Sequence, residues 1–190
     1  MRSFLLAVML SGSALAGAAD LSEPLILVAK PELRDSPYAS SVLVVKPLEG
    51  GLHVGFIVNR PTRVTLGKLF PEHSPSQKVV EPVYLGGPLD VQTVFALVER
   101  PDSPGGTAFQ IQPGLYAAFD APTVDRIIES ESDHARFVAG MVAWQPGELA
   151  YEIEQGAWYV LEPDAGLALR KPDGLWEELE TRSRLEKDAL

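Results

Sequence analysis

The chain has 190 residues, 46% of them hydrophobic and 22% charged, which is the composition of a folded domain rather than of a disordered chain. Its formal net charge of −10 argues against general affinity for nucleic acid, because that affinity comes from clustered lysines and arginines that displace counterions. The lack of cysteine in the sequence excludes disulfides, thiolate nucleophiles and cysteine-ligated metals.

Residues 1–19 have the pattern of a secretory signal peptide. Arg2 precedes the apolar run Phe4–Leu10, and the small residues Ala14 and Ala16 belong to acceptable cleavage sites. The run is shorter than the roughly 20 apolar residues that cross a bilayer, so we expect no transmembrane segment in the mature chain. We therefore expect a periplasmic or secreted protein. An apolar N-terminal arm, or a misassigned start codon on a cytoplasmic protein, is the alternative.

The first part of the mature chain is predicted to form strands of one sheet. Short apolar runs at Leu25–Ala29 and Ser41–Val45 are typical of buried strands. Pro47 and Gly50-Gly51 end the second run, so Leu52–Val58 is expected to return as its hairpin partner.

The middle of the chain alternates short helices and strands. Thr65 is placed to cap a short helix that carries Leu66 and Leu69 and stops before Pro71. The further elements predicted here are strands at Val83–Leu85, Val91–Val98 and Gln110–Phe119, and a helix that starts at Pro122, carries Val124, Ile127 and Ile128, and ends near Glu131.

The C-terminal part predicts a strand, a helix and a second strand. An apolar strand ends at Trp144, a helix starts at Pro146-Gly147, and a strand follows at Trp158–Leu161. The charged segment after Leu175 predicts an exposed helix, with the pairs Glu178–Arg182 and Glu180–Arg184 at i, i+4 and with Leu175, Trp176 and Leu179 docking its start.

This order of elements favours an α+β fold: a single compact domain with a mixed, largely antiparallel sheet and flanking helices. We expect this domain to occupy residues 20–176, with a charged C-terminal helix or tail at 177–190. Regularly alternating α/β architecture is disfavoured because hairpins and one crossover are mixed.

Residue patterns with known chemistry are few. His53, His73 and His134 are far apart in sequence, so we expect structural or surface roles, no metal and no cofactor. The nucleophile-elbow and phosphate-loop motifs do not occur in the sequence. The carboxylates of Glu152 and Glu154 are predicted to lie on the solvated face of a helix.

Two short polar segments stand out from this background. Asn59-Arg60-Pro61 combines a residue that tolerates tight turns with a guanidinium able to hold an oxyanion through two bonds. Gly86-Gly87-Pro88 offers backbone N–H groups that form either an anion-binding concavity or a tight turn. If the two segments meet, Asn59, Arg60, Gly86 and Gly87 form a small anion-binding pocket. Otherwise each segment only terminates a strand, with Arg60 bound to a carboxylate or to carbonyls.

Three ordered motifs resemble the YqgE/AlgH family of bacterial proteins. They are GFIVNRP at Gly55–Pro61, VYLGGPL at Val83–Leu89, and AGMVAWQPGELAYEIEQGAWYVL at Ala139–Leu161. The likeness spans about Pro24 to Trp176. It implies a compact α+β fold and little about function, since the label of transcriptional regulator given to AlgH reflects a regulatory phenotype rather than a recognisable DNA-binding module.

The sequence therefore predicts a nonenzymatic regulatory or binding protein of the cell envelope, whose partner is a protein or a small anionic ligand. One alternative is a hydrolase or binder of a small anion that uses Arg60 and the Gly86-Gly87 turn. A second alternative is a cytoplasmic transcriptional regulator with a misassigned start. The acidic chain has no basic stripe of the kind that DNA readers carry, so we expect no direct binding to nucleic acid.

Overall fold

The computed structural model describes residues 20–188, so the predicted signal peptide at 1–19 lies outside the described residues. Within them, ten strands form one sheet: β1 (Leu25–Ala29), β2 (Val42–Pro47), β3 (His53–Ile57), β4 (Pro61–Thr65), β5 (Pro82–Leu85), β6 (Leu89–Glu99), β7 (Phe109–Gln112), β8 (Leu115–Ala118), β9 (Ala135–Trp144) and β10 (Trp158–Leu161). Four α-helices flank it: α1 (Leu66–Leu69), α2 (Ala121–Ser130), α3 (Glu148–Glu154) and α4 (Leu175–Asp188). No helix in this part of the chain is long and apolar enough to cross a membrane.

The sheet is curled, and it is mixed and largely antiparallel, as predicted. Its strands follow the order β10-β1-β2-β3-β9-β6-β8-β7, and every neighbouring pair along this path is antiparallel. The exception to antiparallel pairing is β5, which pairs in parallel with β9 and antiparallel with β4. The first three predicted strands do share this sheet. The strand, helix and strand predicted at the C-terminal end are β9, α3 and β10.

Alternation along the strands divides the core into an inner and an outer side. Val42 and Val44 of β2 face an inner cluster that also contains Phe56, Phe95 and Leu115. The neighbouring residues of β2 face outward, onto a second cluster that includes Leu149 of α3. The apolar stripe of α2 covers a third cluster over β6, β8 and β9. The concave inner side is therefore enclosed by both halves of the curled sheet.

One predicted strand needs correction, and one observed strand was not predicted. The single strand predicted at Gln110–Phe119 is wrong, because β7 and β8 form a hairpin there whose turn contains Gly114 at φ 81°. The strand β4 was not predicted, because its residues are exposed or half-buried and lack the apolar alternation that marks a strand.

The C-terminal helix α4 packs on the core through its first two turns. Leu175 and Leu179 are buried, as predicted, and Trp176 donates its indole N–H to the carbonyl of Ala29 at 2.7 Å. The predicted pair of Glu180 and Arg184 forms at 3.4 Å.

The predicted pair of Glu178 and Arg182 does not form. Glu178 reaches back to Arg170, which precedes the helix, while Arg182 pairs with Glu186. The two carboxylate oxygens of Glu178 accept hydrogen bonds from Nη1 and Nη2 of Arg170. This bidentate pairing is stronger than a single ion pair on the helix surface.

Candidate functional site

Asn59 connects the end of β3 to the start of β2. Its Oδ1 accepts the backbone N–H of Val42 at 2.9 Å, and its Nδ2 donates to the carbonyl of Ser40 at 2.9 Å. Ser40 adopts a left-handed conformation with φ 53°, which costs free energy in a residue other than glycine. The amide of Asn59 therefore fixes a strained turn.

Arg60 binds the same loop with its guanidinium. Nη1 donates to the carbonyl of Pro37 at 2.6 Å, and Nη2 donates to the carbonyl of Ala39 at 2.9 Å and to Oγ of Ser41 at 2.8 Å. Burial lowers the pKa of the Arg60 guanidinium from its ordinary value. These contacts are the carbonyl-bound arrangement that the sequence left open as an alternative to an anion site.

Gly86 and Gly87 lie where their backbone touches β9. A Cβ on Gly86 would lie 2.3 Å from the carbonyl oxygen of Gly140, and one on Gly87 would lie 2.2 Å from the carbonyl of Met141. The N–H of Gly86 donates to the carbonyl of Ala139 at 2.8 Å. Only glycine permits this approach, so the two residues have a packing requirement independent of any ligand.

Backbone hydrogen bonds tie each polar segment to a residue that lies next to the other segment. The N–H of Leu85 donates to the carbonyl of Arg60, and the N–H of Ile57 donates to the carbonyl of Gly86, both at 2.8 Å. The Arg60 side chain, however, reaches toward residues 37–41. Five surface cavities in the described chain are lined by other residues. The anion site at Asn59, Arg60, Gly86 and Gly87 stays a prediction.

A cavity of about 480 Å³ opens where β2 ends and β3 begins, and we call it the mouth cavity. Phe95 packs against both Phe56 and Phe119 in tilted arrangements, with ring centroids 5.0 Å and 5.9 Å apart. Leu48, Leu52 and Phe119 line the cavity with 36% to 44% of their surface exposed. The full lining is Lys46, Leu48, Leu52, His53, Val54, Asp90, Phe95, Phe109, Phe119, Met141, Ala143 and Trp144.

Three ionisable residues line this otherwise apolar cavity: Lys46, His53 and Asp90. His53 is buried, and its Nε2 donates to the carbonyl of Leu21 at 2.9 Å, which leaves Nδ1 as an acceptor with no partner among the described residues. Asp90 is exposed and has φ 51°, within an irregular part of the β6–β9 pairing.

The histidines do not come together in the described structure. His73 contacts Oγ of Ser76 through Nδ1 at 2.7 Å, and His134 is exposed. Within residues 20–188, no group of three or more histidine, aspartate or glutamate side chains is arranged to hold a metal ion.

Glu152 corrects the expectation that its carboxylate is merely solvated. Its Oε2 accepts the indole N–H of Trp144 at 3.0 Å and that of Trp158 at 2.8 Å. Both indoles are almost fully buried, and Trp144 also lines the mouth cavity. The carboxylate therefore holds one wall of the cavity in place. The helical spacing alone missed this role because it takes no account of tryptophans on adjacent strands.

Arg136 is a buried cation that the sequence reasoning missed. Its Nη1 donates to the carbonyl of Val58 at 2.7 Å, and its Nη2 donates to the carbonyls of Leu169 and Arg170. Its guanidinium carbon lies 4.2 Å from the centre of the Tyr84 ring. Burial lowers the pKa of Arg136. The sequence signal that could have identified it is that Arg136 is the single charged residue in the otherwise apolar β9.

Comparisons with known proteins agree on one relationship. A family model described as AlgH-like matches residues 26–187. A UPF0301 protein of Chlorobium phaeobacteroides is 31% identical over 140 residues, which is 72% of this chain and 73% of that protein. A UPF0301 protein of Streptomyces coelicolor is 27% identical over 167 residues, covering 84% of this chain and 85% of the relative.

Two solved structures share the fold. The solution structure of the AlgH protein from Pseudomonas aeruginosa superposes with a TM-score of 0.68 at 19% identity, covering 90% of this chain and 92% of that one. An X-ray structure of a protein from Corynebacterium diphtheriae gives a TM-score of 0.70 at 22% identity, covering 87% and 89%. At these identities the likeness concerns the fold alone.

Proposed function

This chain belongs to the AlgH-like family, and we propose that it is a nonenzymatic binding protein of the cell envelope that holds an apolar group in the mouth cavity. The observation that carries the proposal is the cavity itself. Ligand sites are typically concave, largely apolar and supplied with a few polar groups, which is the composition of this lining. Exposed Leu48, Leu52 and Phe119 leave apolar surface in water that a ligand would cover.

The nonenzymatic part of the proposal rests on the chemistry of the lining. None of the twelve lining residues within the described chain has a hydroxyl or thiol nucleophile. His53 donates its Nε2 proton to the carbonyl of Leu21, and its Nδ1 has no hydrogen-bond partner among the described residues. Lys46 and Asp90 are suited to orienting a polar end of a ligand. Hydrolysis at the mouth cavity would have to use a water molecule or one of these three ionisable side chains as the nucleophile.

Placement in the envelope rests on the sequence of residues 1–19, in which Arg2 and an apolar run precede small residues. Mass spectrometry of the protein from fractionated cells tests it. We expect a periplasmic or secreted chain that begins near residue 20. An intact Met1 in the cytoplasmic fraction would contradict export and favour a cytoplasmic regulator.

The competing proposal is a small-anion site at Arg60. It is favoured by one observation: no carboxylate of the described residues lies within 4.0 Å of the Arg60 guanidinium nitrogens. The charge is held by two carbonyls and a hydroxyl instead. The net charge of −10 supports the further proposal that neither site serves direct binding to nucleic acid.

Binding of the neutral fluorescent probe N-phenylnaphthylamine tests the mouth cavity. Ala143 lines the cavity and is exposed, so Ala143→Phe fills the space without replacing a core residue. We expect this variant to weaken probe binding by about tenfold or more, since the ring occupies volume that the probe needs.

Val80→Phe is the matched control, because Val80 is 87% exposed and does not line the mouth cavity. This control should leave probe affinity unchanged. Equal affinities for the wild type, Ala143→Phe and Val80→Phe would contradict the proposed site, as would a lack of probe binding by the wild type.

A further inference from the structure

Lys46 stands on the inner side of the sheet at the mouth cavity. Val42 and Val44 point into the inner cluster, and side chains two residues apart on a strand share a face, so Lys46 continues their row. It pairs across the ladder with Val54, which in turn pairs with Ala143, and both of these residues line the cavity. The strand register thus places a cation at the end of an apolar row.

The ammonium of Lys46 has no ion-pair partner among the residues that the structure describes. No carboxylate oxygen of the described residues lies within 4.0 Å of it, although its side chain is partly buried. A partly desolvated charge gains free energy from an opposite charge brought to it. The structure therefore has an unused cation beside apolar space.

A neighbouring cavity of about 380 Å³, here called the side cavity, also reaches Lys46. Of the described residues, Lys46 alone lines both cavities. The side cavity is more polar, and its lining includes Gln112, which is 1% exposed and whose amide N and O have no hydrogen-bond partner among the described residues. Buried amides are normally hydrogen-bonded, so the unpartnered amide of Gln112 is a free polar group in a cavity that Lys46 also lines.

We propose that the mouth cavity binds a long-chain carboxylate, a fatty acid, with its chain among Phe95, Phe109 and Phe119 and its carboxylate on the ammonium of Lys46. This inference rests on the proposed function and names the ligand of that site. The chain covers the exposed apolar rim, and the head group supplies the counter-charge that Lys46 lacks.

Because carboxylates also lie near Lys46, the test must decide whether the head group of the ligand is negatively or positively charged. Asp90 lies on the rim of the mouth cavity but is exposed, so water already solvates its carboxylate. Glu23 and Glu162 line the side cavity. If these carboxylates governed recognition, a long-chain amine would bind more tightly than an acid.

The test compares hexadecanoic acid, hexadecanol and hexadecylamine, each as monomer, in displacement of N-phenylnaphthylamine from the mature protein. We expect the acid to bind at least about tenfold more tightly than the alcohol, because a hydrogen bond to a charged group is worth that much. Affinity for the acids should rise about fourfold with each added methylene until the cavity is full.

Variants of Lys46 separate the charge from the cavity. Lys46→Gln should remove the preference for the acid over the alcohol, and Lys46→Arg should keep it. Lys68→Gln, at an exposed position on α1, should leave all affinities unchanged.

Equal binding of acid and alcohol, tighter binding of the amine, or an unchanged acid preference in Lys46→Gln would overturn the fatty-acid assignment. The proposed apolar site would survive each of these results as long as the probe binds and Ala143→Phe blocks it. If neither the probe nor any amphiphile bound the wild type, both proposals would fail.

Discussion

Replacing Gly87 by alanine tests whether the Gly86-Gly87 turn is built for close packing of backbones. The new Cβ would lie 2.2 Å from the carbonyl carbon and oxygen of Met141 and 2.6 Å from the N of Val142. Unstrained carbon contacts are about 3.5 Å or longer, so the two backbone segments must separate by about 1 Å. All three contacts are with backbone atoms, which cannot move aside as the end of a side chain can.

The cost should be large because Met141 and Val142 lie in β9, a central strand that pairs with β3, β5 and β6. Overpacking in a core typically costs about 1–3 kcal/mol, and a clash with a central strand belongs at the upper end. We therefore expect Gly87→Ala to lower the free energy of unfolding by about 3 kcal/mol. For a domain of this size that corresponds to a melting temperature lower by roughly 6–12 °C.

Urea unfolding of the wild type, Gly87→Ala and Gly166→Ala measures the effect. Gly166 is the matched control, since a Cβ there would meet Asp164 Oδ1 at an ordinary 3.6 Å. We expect Gly166→Ala to stay within about 1 kcal/mol of the wild type. If Gly87→Ala were as stable as the control, the packing argument would be refuted. Unchanged stability with lost affinity for phosphate would favour the anion site instead.

Three other substitutions test the contacts around the two sites. Arg60→Ala should lower the free energy of unfolding, measured with urea, by about 2–3 kcal/mol, because it leaves three hydrogen-bond acceptors without their donor. A variant that keeps its stability but no longer binds phosphate would contradict this structural role. Glu152→Ala should cost about 2–3 kcal/mol and shift tryptophan fluorescence to the red, because two buried indole N–H groups lose their acceptor; unchanged emission would argue against the contact. Asp120 caps α2, and hydrogen bonds from Thr107 and Thr123 hold the pKa of its carboxyl well below its usual value. A lowered pKa means that the stabilisation is complete above the unfolded pKa near 4 and is lost as the pH falls through the folded pKa. The stability advantage of the wild type over Asp120→Asn in urea should therefore be full near pH 6 and shrink below about pH 4; an advantage that grows on acidification would contradict it.

The strands that were predicted correctly carry an unambiguous local signal. Leu25–Ala29 is apolar throughout because β1 is buried on both faces, and the prolines and glycines that follow the next runs mark their ends. The hairpin of β7 and β8 was missed because its Pro113-Gly114 turn interrupts a segment that otherwise looks like one strand. The apolar residues on both sides of the turn indicated one continuous strand more strongly than Pro113-Gly114 indicated a turn.

The candidate sites differ in how far the sequence could predict them. At the level of sequence, the meeting of Asn59-Arg60-Pro61 with Gly86-Gly87-Pro88 was a condition for an anion pocket. In the structure, Arg60 hydrogen-bonds to Leu85 and Gly86 hydrogen-bonds to Ile57, so each segment is tied to a residue next to the other. The direction of the Arg60 side chain could not be predicted, because it depends on carbonyls of a loop about twenty residues earlier in the chain.

The mouth cavity could not be read from the sequence. Its lining comes from the ends of β2, β3 and β9 together with aromatic residues of β6 and β7, which only the curl of the sheet brings together. Lys46 in particular looks like an ordinary residue at the end of a strand. Its role follows from the register that places it beside Val54.

A crystal structure of the mature protein with hexadecanoic acid tests the central claim most directly. The account predicts continuous density for the acyl chain along the cavity wall that Phe95, Phe109 and Phe119 form, with a carboxylate oxygen about 3 Å from Nζ of Lys46. An empty mouth cavity, or the ligand bound at Arg60 instead, would contradict it.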